Sequence, residues 1–230
     1  MKRGLAAIAV LIIVGLVAAL VWQVFEVRNY RRLVTTIDRA MAGYAIDEFE
    51  LAEMYYFGNR RLDPKGKRYD EAARLYRSSA EKGYTHAEYR LGELYLRAEG
   101  VVGSVSEAKK WLGRAAGKNY APAIRELGKL YFDGKWVPRD SAKGKTLLIK
   151  AGKLGDYWAY LHLMLHAVHA SHSGMTREHR IEIYKWSWLA KRAGAKDFLL
   201  YLGIRDSMSE SEVATAIKQA RAIIAEKPAN

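Results

Sequence analysis

The sequence predicts an all-α chain: an α/α solenoid of about four helix-pair repeats, closed by a C-terminal capping helix and preceded by one transmembrane helix. Three observations predict it. First, residues 87–158 hold two copies of a 36-residue unit, in which Ala87, Leu91, Gly92, Leu94 and Tyr95 return as Ala123, Leu127, Gly128, Leu130 and Tyr131. A period of about 20–50 residues marks units too small to bury an apolar face alone, so that they must stack on neighbours. Second, Gly83, Asn119 and Gly155 recur at the same period. Gly and Asn tolerate the left-handed conformation that closes a helix. Third, Gly4 to Trp22 contains no charged or strongly polar side chain, and about 20 apolar residues at 1.5 Å rise cross a bilayer core.

In chain order, residues 1–25 are expected to be a transmembrane signal anchor, with Trp22 at the interface. Cleavage after the small residues Val17-Ala18-Ala19 is the alternative, but the apolar run continues past them. Residues 26–44 read as a helical stalk, because Val27, Tyr30, Leu33, Val34, Ile37 and Met41 have helical spacing. It is the membrane helix continuing, or a restart, meeting the solenoid near Gly43.

Residues 45–200 carry the repeats. Helix A of the second unit buries Ala87, Leu91, Leu94, Tyr95 and Ala98 as one stripe. Gly92 and Gly128 stand mid-helix at a cost of about 1 kcal/mol each, which suggests close helix–helix approach. Helix B of that unit covers Glu107 to Ala116. An earlier unit with a longer turn starts near Leu51. A looser fourth starts at Ala159 and closes at Gly194. In residues 201–230, Ser209, Glu210 and Glu212 precede Val213, Ala216, Ile217, Ala220, Ile223 and Ile224, a capped helix that covers the open end.

The pattern Ala…Leu-Gly-x-Leu-Tyr, a Gly-Val turn, then Ala, Trp and Ala-Ala closing at Gly or Asn resembles the Sel-one-like repeat, a relative of the tetratricopeptide repeat. Ala98 stands where the pattern has its first turn Gly, Trp136 where it has the second, and Gly144 where it has a helix-B Ala. The resemblance implies a scaffold for protein complexes, often in bacteria and often at an envelope.

Composition narrows the chemistry. Among 230 residues there is no cysteine, which excludes disulfides and thiolate chemistry. The net charge of +13 favours anionic partners. From Lys109 to Lys153, twelve Lys/Arg face only Glu126, Asp133 and Asp140. Lys109, Lys110, Arg114, Lys143, Lys145 and Lys150 would gather on one side as a basic patch against anionic lipid or an acidic protein. On the A helices, Phe49, Glu53 and Tyr56 match Tyr89, Glu93 and Leu96, then Arg125, Lys129 and Phe132. These lie opposite the buried stripe and are the candidate lining of a partner-binding groove.

His162, His166, His169 and His172 share one helix, and the first three are candidates for a metal site. The repeat register instead places His166 in the core, at the position of Leu94 and Leu130. Trp111, Trp136, Trp186 and Trp188 could stack on sugars, though register again favours the core. No phosphate loop, nucleophile elbow or metalloprotease motif is present.

The expected function is therefore a membrane-anchored, non-enzymatic adaptor that binds another protein of a membrane complex. No cofactor, nucleic acid or small-molecule substrate is expected. The alternative is an accessory protein of envelope polysaccharide or cell-wall machinery that contacts glycan. Arg28, Arg31, Arg32 and Arg39 after the span outnumber Lys2 and Arg3 before it, which by count puts the solenoid in the cytoplasm. The three-residue tail and the resemblance favour a periplasmic solenoid on a bacterial inner membrane, and that orientation is the expectation.

Overall fold

The computed structural model describes residues 2–171, 174–196 and 203–225, with side chains from residue 17 onward. Ten α-helices and no strand occur among the described residues. The chain divides into two compact units, residues 1–84 and 85–230.

In the first unit, α1 (Lys2–Met41) is continuous, so the stalk is the same helix prolonged rather than a restart. Its 40 residues span about 60 Å. Among the described residues no helix is long and apolar enough to cross a membrane. Most of the Gly4–Trp22 run, residues 4–16, lies outside the described side chains. The C-terminal half of α1 docks on α2 (Ala45–Phe57) through the buried Leu33, Thr36 and Ala40. Arg39 reaches Asp47 at 3.1 Å. Gly43, at φ 85, makes the turn between them. α3 (Tyr69–Glu81) closes the unit, burying Ala72, Ala73, Tyr76 and Ala80 against Leu51 and Ala52.

The second unit repeats this hairpin three times: α4 (Thr85–Arg97) with α5 (Val105–Gly117), α6 (Ala121–Asp133) with α7 (Ser141–Lys153), and α8 (Tyr157–Ala170) with α9 (Arg177–Arg192). Helix B ends in step, as the period predicts. Gly83, Asn119, Gly155 and Gly194 all have positive φ, at 87, 58, 94 and 105°.

The A-helix ends keep step as well. Gly58, Ala98 and Gly134 occupy one register, at φ 81, 55 and 67°. Alanine pays a steric penalty there of roughly 1–2 kcal/mol, which exceeds the extra chain entropy of glycine. Ala98→Gly is therefore expected to raise stability by about 0.5–1 kcal/mol. A thermal melt reads this directly; an unchanged or lower midpoint would contradict it.

One buried ion pair is also periodic. Glu88 is fully buried, with Lys118 Nζ donating to it at 2.9 Å and Arg114 Nε lying 3.0 Å away. Forty residues earlier, Glu48 receives Lys82 Nζ at 2.6 Å and Ser78 Oγ at 2.7 Å. In the next repeat the carboxylate position holds the buried Ile124 and the lysine position holds Leu154. The same slot is thus filled by charge twice and by hydrocarbon once.

At the C-terminal end, α10 (Glu210–Ala225) lays Val213, Ala216 and Ala220 on α9. The predicted boundary at residues 200 and 201, and the tail 226–230, lie outside the described residues. Ser209 caps α10 as its spacing predicts: its Oγ accepts from Glu212 N at 3.3 Å, and its N–H donates to Glu212 at 2.7 Å. Arg180 adds a 2.6 Å bond to the same carboxylate. The Ser209 backbone bond, then the Arg180 bond, hold Glu212 below the ordinary value of 4.5. A depressed folded pKa gives stability that is present above that value and lost as pH falls through the folded one. Acid titration below pH 4.5 is expected to release α10, and Glu212→Gln should remove that step from a pH series of melts.

Candidate functional site

The second unit has a cleft of about 320 Å³ between the A helices of two successive repeats. Glu93, Leu96 and Arg97 of α4 form one wall. Glu126, Lys129, Leu130 and Asp133 of α6 form the other, and Lys135 and Trp136 stand at its end. Trp136 is 49 % exposed, with Lys135 Nζ 4.5 Å from its ring centroid.

The register of the walls has a simple rule. Arg90, Glu93 and Arg97 correspond, 36 residues on, to Glu126, Lys129 and Asp133. Each position reverses its sign. Along each helix the charges also compensate: Arg90 and Arg97 reach Glu93 at 3.2 and 3.0 Å, and Lys129 reaches Glu126 at 3.0 Å. The cleft is therefore highly charged but nearly neutral, and its floor is apolar. Burial and the Glu93 carboxylate push the neighbouring Tyr89 phenol well above its ordinary value, so it stays protonated as a donor.

Of the predicted groove residues, the structure brings Glu93, Leu96 and Lys129 together in this cleft. Tyr89 packs on Tyr120 at 5.4 Å between ring centroids. Arg125 turns away to Asp156 at 2.6 Å. Phe132 is a correction: it is buried, because the His166 ring lies against it at 4.8 Å. In the first unit Phe49 and Glu53 line a shallow hollow with Arg32, Met54 and Phe57. Tyr56 does not join them. It packs edge-on against Phe57, Tyr69 and Tyr76.

Arg97, Glu126, Asp133, Lys135 and Trp136 were not anticipated. On α4 the lining keeps Glu93 and Leu96 and extends to Arg97, whereas on α6 Glu126 and Asp133 replace the predicted Arg125 and Phe132, each one residue on, about 100° round the helix. The sign reversal between repeats was the signal that could have found it. Trp136 also corrects its expected core position, since the turn carries it outward. Trp111 and Trp186 are buried as register predicts, and Trp188 is half-buried.

The expected basic patch is partly neutralised by acids. Arg114 is committed to Glu88. Lys110 pairs with Glu107 at 3.4 Å, and Lys145 with Glu182 at 3.5 Å. Lys143 and Lys109 approach the Tyr131 ring at 3.9 and 5.4 Å. Hydrogen bonding from Lys143, and then from Lys109, draws the Tyr131 phenol below its ordinary value of 10. Lys150 is half-buried. Lys110, Arg114, Lys143 and Lys145 are exposed, and Lys110, Arg114 and Lys145 are each paired with a carboxylate.

His166 is exposed instead of sitting in the core. His162 bonds Asp133 at 2.9 Å, His169 is exposed, and His172 lies outside the described residues. No group of three His, Asp or Glu side chains converges for a metal among the described residues.

A cleft built from successive helix-pair repeats defines a class of fold, and comparison with known proteins specifies it. The family model for the Sel1 repeat matches residues 45–84, 85–120 and 121–156. Residues 45–156 thus match three Sel1 repeats, and the all-helical fold is the solenoid of such repeats. A crystal structure of a Sel1 repeat protein from Oxalobacter formigenes matches with 30 % identity and a TM-score of 0.49, over 53 % of this chain and 90 % of that one. A protective antigen from uropathogenic Escherichia coli strains displaying an SLR fold matches with 20 % identity and a TM-score of 0.53, over 83 % of this chain and 48 % of that one. No match was found among the curated proteins. Sel1 repeats generally act as protein–protein interaction scaffolds. The fourth hairpin, α8 and α9, lies outside the matched repeats.

Proposed function

We propose that this protein is a membrane-anchored adaptor in a bacterial envelope complex, held by its N-terminal apolar run and gripping a segment of another protein in the α4–α6 cleft. The observation that carries the reading is the exposed Trp136 at the end of a cleft with an apolar floor and charge-balanced walls. An aromatic anchor beside satisfied polar groups is the usual composition of a binding hot spot. Balanced walls suit a partner segment of mixed charge, not a purely acidic one. The solenoid lies outside the cytoplasm in this reading, with Met1-Lys2-Arg3 inside.

A photocrosslinking residue at position 136 tests it in cells. A reproducible protein adduct, lost when Leu96→Glu blocks the cleft floor, is expected. Retention on glycan with no protein adduct would overturn it in favour of direct polysaccharide contact. A C-terminal alkaline phosphatase fusion reports the orientation; an inactive fusion beside an active cytoplasmic reporter reverses it.

A further inference from the structure

The first repeat spans 40 residues where the next two span 36, and the extra length lies in its turn, Gly58 to Arg68. The turn is folded. Leu62 and Asp63 N–H groups donate to Asn59 O at 3.0 Å, and Arg68 N donates to Tyr55 O at 2.9 Å. Its one acid, Asp63, pairs with Arg68 at 3.0 Å. Arg61 reaches out of the turn and pairs with Glu26 of α1. Glu26 lies one helical turn beyond Trp22, where the apolar run ends. The pairings neutralise Asp63 and Glu26 but leave Arg60, Lys65 and Lys67 exposed on the turn, and Arg28 and Arg31 exposed on α1. None of these five forms a salt bridge among the described residues. Nearby, Trp22, Phe25 and Tyr30 are 65, 56 and 64 % exposed.

We propose that this turn and the adjoining stretch of α1 form a basic collar that binds anionic phospholipid headgroups where the anchor leaves the bilayer. The inference rests on the reading of α1 as a membrane anchor. Charge complementarity selects the occupant: five exposed cations lie on α1 just past its apolar run and on the turn tied to it through Glu26, and exposed aromatic side chains occupy the same two to three helical turns of α1. A cation at a membrane surface favours anionic lipid by about 1 kcal/mol, or about fivefold. The Arg61–Glu26 pair fixes the turn against α1, so the collar is formed before it meets lipid.

The chain has no cysteine, so Pro64→Cys gives the full-length protein one labelling site, on the exposed turn. The labelled protein is reconstituted into vesicles of phosphatidylcholine, with or without about one third phosphatidylglycerol. Both contain a trace of headgroup-nitroxide lipid. Quenching at least twofold stronger in the anionic vesicles is expected. Arg60→Glu/Lys65→Glu/Lys67→Glu should abolish the difference, as should salt high enough to shrink the Debye length to about 3 Å. Equal quenching in both vesicles, with carbonate-resistant flotation retained, overturns the collar and leaves the anchor standing. An acidic protein segment would then be the occupant to seek. Carbonate-extractable flotation on anionic vesicles alone, with quenching there, overturns the anchor but supports the collar. No flotation on either vesicle overturns both.

Discussion

Gly144→Ala is expected to lower the melting temperature by several degrees, whereas Gly113→Ala raises it. Both are Gly-to-Ala changes in B helices, and helix propensity alone favours alanine by about 1 kcal/mol in each. The surroundings differ. A Cβ on Gly113 meets nothing within 4 Å. One on Gly144 would stand 2.4 Å from Phe132 N and 2.6 Å from Phe132 Cα. That obstacle is backbone and cannot swing aside, so α6 and α7 must separate. Overpacking of this kind costs about 1–3 kcal/mol, and here the upper end applies. The net expectation is a loss of about 2 kcal/mol, or roughly 4–8 °C for a domain of this size. Gly92 lies between these limits, since its Cβ would meet the Leu112 side chain at 2.7 Å. Paired thermal melts decide the matter. A Gly144→Ala protein as stable as the parent would show that the helices have room to part.

Stripping the buried Glu88 of both cations is the second large effect. Arg114→Ala/Lys118→Ala leaves a fully buried carboxylate without partners, and breaking such a pair costs about 3–5 kcal/mol. Lys110→Ala, also in α5 but exposed, is expected to change stability by less than about 0.5 kcal/mol. Adding Glu88→Ile to the double variant should recover most of the loss, because the next repeat fills the same slot with Ile124. Chemical denaturation of the four proteins reads the cycle. Failure of Glu88→Ile to restore stability would show that the cations act by packing alone.

The periodic features were legible in the sequence because each repeat reports on the others. Gly83, Asn119 and Gly155 could be matched by register alone, and all adopt the backbone expected. Gly92 and Gly128 were read as points of close approach; a Cβ there would lie within 3 Å of Leu112 and Leu148. The cleft was only half legible. A helix face opposite a buried stripe is defined to within about one residue, and a rotation of 100° exchanges Phe132 for Asp133. For the cationic patch, charge counted along a sequence ignores partners brought in by the fold. Arg114 is neutralised by a carboxylate 26 residues earlier. His166 failed differently: its neighbour Phe132 takes the buried place and leaves the imidazole outside.

The alternating charges of α4 and α6 bear on how the chain assembles its own order. Repeats so alike in their apolar stripes present interchangeable docking faces to a folding chain, and misassembly between near-identical units is a characteristic failure of repeat proteins. Arg90, Glu93 and Arg97 facing a second copy of themselves would set like against like at every rung. Across the cleft stand instead Glu126, Lys129 and Asp133, of the opposite sign at each position. The charge pattern thus works as a serial number, distinguishing each unit from its neighbour where the hydrophobic code cannot. A chain built by duplicating one unit unchanged would lack that distinction, and would be expected to populate shifted or exchanged pairings.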